Sequence, residues 1–134
     1  MSRTVAELTT ALDGVAAALD AEVEAVRSGQ VDALSAAADR KRVVLEDAMP
    51  ILQPSHDVAA ATPAERACLI EATRRMQAAA TRNAATLQGA LEGTRRLYAC
   101  LAEAAQSAAS SGTYRPDGSR HCAEESAGTI RRRV

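Results

Sequence analysis

The sequence of 134 residues contains no tryptophan and no phenylalanine, and its only aromatic side chains are Tyr98 and Tyr114. Large aliphatic side chains are also few, because Leu, Ile, Val and Met together supply 26 residues whereas alanine alone supplies 32. Sheets and deep active-site pockets draw on β-branched and aromatic residues, so this composition disfavours a β-sandwich or an α/β enzyme. Alanine has the highest helix propensity. The expected fold class is therefore all-α, a bundle of long helices with a modest core.

Cysteine, histidine and long apolar runs are scarce as well. The three cysteines form no Cys-x-x-Cys pair, which disfavours a disulfide framework or a zinc site. No run of about 18 apolar residues exists and the N-terminus lacks an apolar signal core, so we expect a cytoplasmic protein without stable membrane insertion. His56 and His121 are not placed for phosphotransfer or for a dimetal site. We therefore expect no enzymatic activity, no bound metal and no cofactor.

The charge is nearly balanced at −1 but unevenly distributed, because residues 1–62 carry −5 and residues 63–134 carry +4. This asymmetry predicts antiparallel packing of an acidic half on a basic half. A nucleic-acid-binding protein needs a dense basic face, which the chain lacks. The three consecutive arginines at 131–133 are either solvated or in weak contact with an acidic partner. No nucleic-acid partner is expected.

Two helices are predicted in the acidic half. Thr4 and Glu7 form a capping box, and apolar residues recurring at steps of three and four predict helix 1 over about 4–27. A second apolar series predicts helix 2 over 31–49, which must end there because Pro50 disfavours a helical predecessor. The members of that second series are Val31, Leu34, Ala38, Leu45, Ala48 and Leu52.

A longer helix is predicted in the basic half. Thr62 is its N-cap and Glu65 the N3 partner, and a sustained 3.5-residue spacing carries helix 3 over 63–110 with coiled-coil-like packing. We expect one helical domain, 1–111, followed by a flexible C-terminal segment, 112–134. The seam of helix 3 is Leu69, Thr73, Met76, Ala80, Asn83, Leu87, Ala90, Thr94, Leu97, Leu101, Ala104 and Ala108, and Ile70, Ala84, Leu91, Tyr98 and Ala105 widen it.

Helices 1 and 2 are joined at Ser28-Gly29 either by a chain reversal or by a kink. Laid end to end they are about 66 Å long, close to the roughly 70 Å of helix 3. The match in length suggests that together they cover helix 3 as an elongated antiparallel hairpin. Asn83, a polar residue on the seam, either sets the register of the helices or is half-exposed.

Three stretches resemble the FlgN-type flagellar export chaperones. Residues 27–49 resemble the family's small turn followed by an acidic residue, a leucine and an Arg-Lys pair in the second helix. Residues 82–101 resemble its long third helix with a central asparagine, and residues 112–118, GTYRPDG, resemble the Thr-Tyr-turn-Gly segment behind it. The heavy alanine content and Gln30, where an acidic residue is more usual, depart from the family pattern.

The resemblance implies a cytoplasmic, non-enzymatic chaperone. Such a protein binds the terminal helices of unassembled hook-associated proteins, which form the hook–filament junction, and delivers them to the flagellar type III export gate and its ATPase complex. The positions that match the family's client-binding region are Leu91, Leu97, Tyr98 and Leu101. Tyr114, in the segment after the helix, is the candidate contact with the export gate or the client.

Other functions compete with this one. The apolar stripe at 91–108 has either a client helix or a homodimer partner, so a self-associating structural coiled coil is the main alternative. A phasin-like amphipathic protein that coats a surface is a further one. Tyr98 itself either packs in the core or contacts a partner, and Tyr114 either contacts a partner or packs on helix 3.

Overall fold

The computed structural model describes residues 4–53 and 58–110 of the chain. Within them the regular structure is entirely helical, as the composition predicts. It consists of α1 (Val5–Ser28), α2 (Val31–Ala48), a short 3₁₀ turn (Val58–Ala60) and α3 (Pro63–Ser110). The predicted helix limits differ from these by one residue at most.

The chain divides into two units, the first ending at Ala90 and the second beginning at Leu91, within α3. Each unit is described by itself below. The predicted boundary after residue 111 and the predicted flexible segment 112–134 lie outside the described residues.

The helix starts follow the predicted capping residues. At α1 the Glu7 amide donates to Thr4 Oγ1 at 3.2 Å, and the Thr4 amide donates to Glu7 Oε2 at 2.9 Å. At α3 the Glu65 amide donates to Thr62 Oγ1 at 3.2 Å, and the Thr62 amide donates to Glu65 Oε2 at 2.8 Å. Two amides that would lack a partner in the first turn of each helix are thereby satisfied, so both predicted capping boxes are confirmed.

The junction between α1 and α2 is a chain reversal. Gly29 has φ 69° and its amide donates to Val26 O at 3.2 Å, the left-handed conformation that closes a helix C-terminus. The two helices then pack side by side as a hairpin, with Lys41 of α2 bonded to Glu22 of α1. The expectation that helices 1 and 2 lie end to end along helix 3 is therefore wrong, because a glycine at positive φ turns the chain instead of kinking it.

Ion pairs fix the direction of α3 relative to α1 in the first unit. Arg75 Nη2 donates to Asp13 Oδ1 at 2.8 Å, and Arg82 Nη2 donates to Asp20 Oδ1 at 2.9 Å. Both partners advance by seven residues, so α1 and this part of α3 run parallel. The acidic half does contact the basic half, but the predicted antiparallel arrangement is wrong for α1 and α3, because the reversal at Gly29 leaves only α2 antiparallel to α1.

The core of the first unit is built mainly from small side chains. Ala72 and Ala79 of α3 are fully buried, whereas no large side chain in the described residues reaches that level of burial. The predicted seam placed Ala80 in the core, but Ala80 is exposed and its neighbour Ala79 is buried instead. Hydropathy does not distinguish neighbouring alanines. Val31 and Ile70, expected in the apolar stripes, are also exposed. The central cluster is Val15, Ala16, Leu19, Ala48 and Ala79, with Ala11, Val44, Leu45 and Met76 packed around it.

Candidate functional site

The second unit presents an exposed apolar helix face. Leu91, Leu97, Tyr98 and Leu101, the four predicted client-binding residues, are 51%, 59%, 69% and 55% exposed. At about 100° per residue they occupy roughly 120° of the circumference of α3. We call these four residues the α3 face. Four large apolar side chains on one side of an exposed helix are typical of a surface that binds another helix.

Within residues 91–110 the charged side chains lie away from the α3 face. Glu92, Arg96 and Glu103 are on the opposite side of the helix by the same periodicity, and Arg95 alone is at one edge of the α3 face. Gly93 is at the other edge, where an added Cβ would meet no atom within 4 Å. The helix in this unit is therefore amphipathic, with one basic edge and one edge open to close approach.

The predictions for the two tyrosines have different outcomes. Tyr98 is the most exposed member of the α3 face, so the alternative in which it packs in the core is wrong for the described structure. Tyr114 lies outside the described residues, and its assignment as a contact with the export gate or the client stays a prediction.

The first unit contains a buried polar cluster that joins all three helices. The carboxylate of Glu22 on α1, which is 3% exposed, accepts two hydrogen bonds from Lys41 Nζ of α2, at 2.9 and 2.7 Å. It also accepts one from Asn83 Nδ2 of α3 at 2.6 Å. Asn83 Nδ2 donates in addition to the Leu19 carbonyl at 3.2 Å. Asn83 is 6% exposed, so the half-exposed alternative is wrong, and its role in setting the register of the helices stays a prediction.

Opposing effects determine the pKa of Glu22. Burial raises that pKa, but the hydrogen bonds from Lys41 and Asn83 and the positive charge of Lys41 outweigh burial and hold it below 4.5. Glu22 is therefore ionised at neutral pH and paired with the sole lysine of a chain that has fifteen arginines.

Sequence reasoning missed Glu22 and Lys41, although a signal was present. Lys41 interrupts the apolar series of helix 2 between Ala38 and Leu45, and Glu22 follows Leu19 at an apolar step of three. A charged residue at a core-facing position of each of two neighbouring helices indicates a buried pair.

A groove runs between α1 and α2 in the first unit. The least exposed of its small lining residues are Ala11 and Ala48, and at Gly14, which also lines it, an added Cβ would meet no atom within 4 Å. On α1 its centre is about 100° from Asp13 and Asp20, which contact α3. Its rim carries Glu7 and Asp47. The lining residues are Ala6, Glu7, Thr10, Ala11, Gly14, Val44, Asp47, Ala48 and Ile51, and we call this surface the α1–α2 groove.

Residues 4–53 and 58–110 contain no group of three or more His, Cys, Asp or Glu side chains that could hold a metal ion. In the same residues, no helix combines the length and the apolar character needed to cross a bilayer. Cys68 and Cys100 are exposed free thiols.

Comparison with known proteins finds nothing similar: no protein-family model, curated protein or solved structure matches the chain. The α3 face, the buried cluster and the groove are therefore interpreted from their own chemistry.

Proposed function

We propose that the protein is a cytoplasmic export chaperone that binds the terminal helices of flagellar hook-associated proteins and delivers them to the type III export gate and its ATPase complex. The observation that carries this proposal is the α3 face, four large apolar side chains that remain more than half exposed. The resemblance of residues 27–49, 82–101 and 112–118 to FlgN-type chaperones supplies the identity of the client.

The chemistry of the α3 face supports a helical client. An amphipathic helix binds through apolar anchors at intervals of three, four and seven residues, and Leu91, Leu97, Tyr98 and Leu101 have those intervals. Gly93 at one edge lets a client backbone approach closely. In this proposal the client helix completes a coiled-coil-like pack along the second unit, and the limited apolar area keeps the affinity modest enough for release at the export gate.

The proposal is tested by titrating purified hook-associated proteins into the full-length chain in a calorimeter. We expect a 1:1 complex with one of them and at least tenfold weaker binding by Leu97→Ser, since burying a leucine contributes about 1.5–3 kcal/mol. Because Leu97 is 59% exposed, its replacement should leave the circular dichroism and the thermal midpoint nearly unchanged.

Arg96→Ser is the matched control, since Arg96 is on the same helix but on the opposite side from the α3 face. It should bind the client as the original chain does. Absence of binding to every hook-associated protein refutes the chaperone proposal, and equal weakening by Leu97→Ser and Arg96→Ser refutes the assignment of the α3 face.

Tyr114 is proposed to contact the export gate or the client. Tyr114→Ala should therefore weaken binding to the cytoplasmic part of the gate or to the client helix, with Leu97 intact. If neither interaction changes, Tyr114 has no part in delivery.

The alternatives give different results. A structural coiled coil needs no client and is a stable oligomer in light scattering, whereas a phasin-like protein floats with liposomes or granules. Either result together with absent client binding would replace the chaperone proposal.

A further inference from the structure

The chain carries two apolar surfaces of complementary shape. The α3 face is convex, with leucine and tyrosine side chains that project from one helix and are 51–69% exposed. The α1–α2 groove is concave, and small residues such as Ala11, Gly14 and Ala48 line it. Large side chains on one helix that insert between small ones on two others give the density of a protein interior.

The two surfaces also match in length. Ala6 and Gly14, which mark the ends of the groove on α1, are separated by about 12 Å along the helix axis, and Leu91 and Leu101 by about 15 Å. Two to three turns of helix therefore suffice to cover the groove.

Charge selects between the ways in which two copies can associate. The groove rim carries Glu7 and Asp47, so two grooves placed against each other would oppose like charges. The α3 face has Arg95 at its edge. Neither Asp47 nor Arg95 makes an ion pair with a described residue, and an Arg95–Asp47 contact between copies would satisfy both charges.

We propose that the α3 face of one copy docks in the α1–α2 groove of a second copy, with Arg95 beside Asp47. Each copy has an α3 face and an α1–α2 groove, so a reciprocal exchange between two copies satisfies both surfaces. A single contact of this length is smaller than the roughly 800 Å² per partner of a stable interface. Two reciprocal contacts approach that size, and the dimer is therefore expected to dissociate at low concentration.

The dimer would cover the surface that the proposed function assigns to the client. Only this consequence rests on the proposed function. The client helix and the second copy compete for the α3 face, so binding of the client dissociates the dimer. Self-association itself does not depend on the identity of the client.

Sedimentation of the client-free, full-length chain over a wide concentration range tests the proposal. We expect a monomer–dimer equilibrium that is weakened about tenfold by Leu97→Ser. Gly14→Leu should weaken it similarly by filling the groove, whereas Gly14→Ala, the matched control, leaves the groove open. Circular dichroism of each variant verifies that it is helical.

A charge exchange tests the orientation. Asp47→Arg and Arg95→Glu should each weaken the dimer about threefold, and the double variant should recover to within about twofold of the original chain. Arg96→Glu, on the opposite side of α3, should have no effect.

The alternatives give distinct results. A monomer at every concentration overturns the proposal. A dimer weakened by Leu97→Ser but not by Gly14→Leu overturns it in favour of two α3 faces in contact. Failure of the double charge variant to recover overturns the assigned docking. A chain that dimerises as expected but binds no hook-associated protein keeps this inference and loses the chaperone proposal.

Discussion

Replacing Lys41 with methionine should lower the free energy of unfolding of the first unit by about 3 kcal/mol. Methionine preserves the length and packing of the aliphatic stem of Lys41. It removes the two hydrogen bonds of 2.9 and 2.7 Å that the ammonium donates to Glu22, and it leaves a carboxylate that is 3% exposed without its countercharge.

The magnitude follows from the burial of the two partners. Breaking a buried ion pair from one side costs about 3–5 kcal/mol, because the remaining charge is desolvated without compensation. The side chain of Lys41 is itself 24% exposed, so water can approach the site from that side, and the lower end of the range applies. Asn83 still donates to Glu22 at 2.6 Å, which limits the loss further.

A double-mutant cycle with Glu22→Gln separates charge from packing. Glu22→Gln alone should cost about 1–2 kcal/mol, since an amide still accepts from Asn83 while the Lys41 ammonium can turn to solvent. The double variant contains no buried charge, so it should be more stable than Lys41→Met alone. Urea unfolding followed by circular dichroism at constant m-value measures all three.

The pH dependence gives an independent check. Because the pKa of Glu22 in the folded chain is below 4.5, its contribution to stability is present above that pH and is lost as the pH falls through the folded value. The original chain should therefore lose more stability than Glu22→Gln between neutral pH and pH values below 4.5. Costs below about 1 kcal/mol for Lys41→Met, or strictly additive single effects, would refute the buried-pair interpretation.

Three further substitutions test the local structure. Gly29→Ala should lower the free energy of unfolding by about 1–2 kcal/mol in urea, because φ is 69° there. Asparagine tolerates that conformation, so Gly29→Asn should cost less. Equal costs for the two variants would contradict the left-handed turn. Gly89→Ala should raise stability by up to about 1 kcal/mol, since a Cβ meets no atom within 4 Å; a loss of stability would show that the site is crowded. Thr4→Ala should cost about 1 kcal/mol through the lost cap, whereas Thr4→Ser should be nearly neutral in the same measurement, and an equal loss in both would exclude the hydroxyl as the cause.

The sequence by itself determined the helices and their ends. Alanine-rich apolar periodicity defines helices, Thr4 and Thr62 satisfy the first amides, and Gly29 and Pro50 stop the helices that precede them. These are local effects, within about one helical turn, so they can be predicted without knowledge of the partners. The apolar stripe that contains Leu91, Leu97 and Leu101 was also visible in the sequence, whereas the choice for Tyr98 between the core and a partner contact was left open.

Only the tertiary structure decided how the helices are arranged. A glycine after a helix is compatible with a kink or with a reversal, and the reversal followed from φ 69° at Gly29 together with the packing of α2 on α1. The parallel direction of α1 and α3 emerged from the pairs Asp13–Arg75 and Asp20–Arg82, since charge asymmetry between two halves carries no direction.

The buried cluster was likewise decided in three dimensions. Glu22, Lys41 and Asn83 come from three separate helices, and each resembles an ordinary polar residue in its own segment. Alanine stripes specify the register of packed helices poorly, because neighbouring alanines are interchangeable, as the exchange of Ala80 for Ala79 in the core demonstrates. A carboxylate bonded to two other helices has one favourable position, and we expect that position to select which small residues meet in the core.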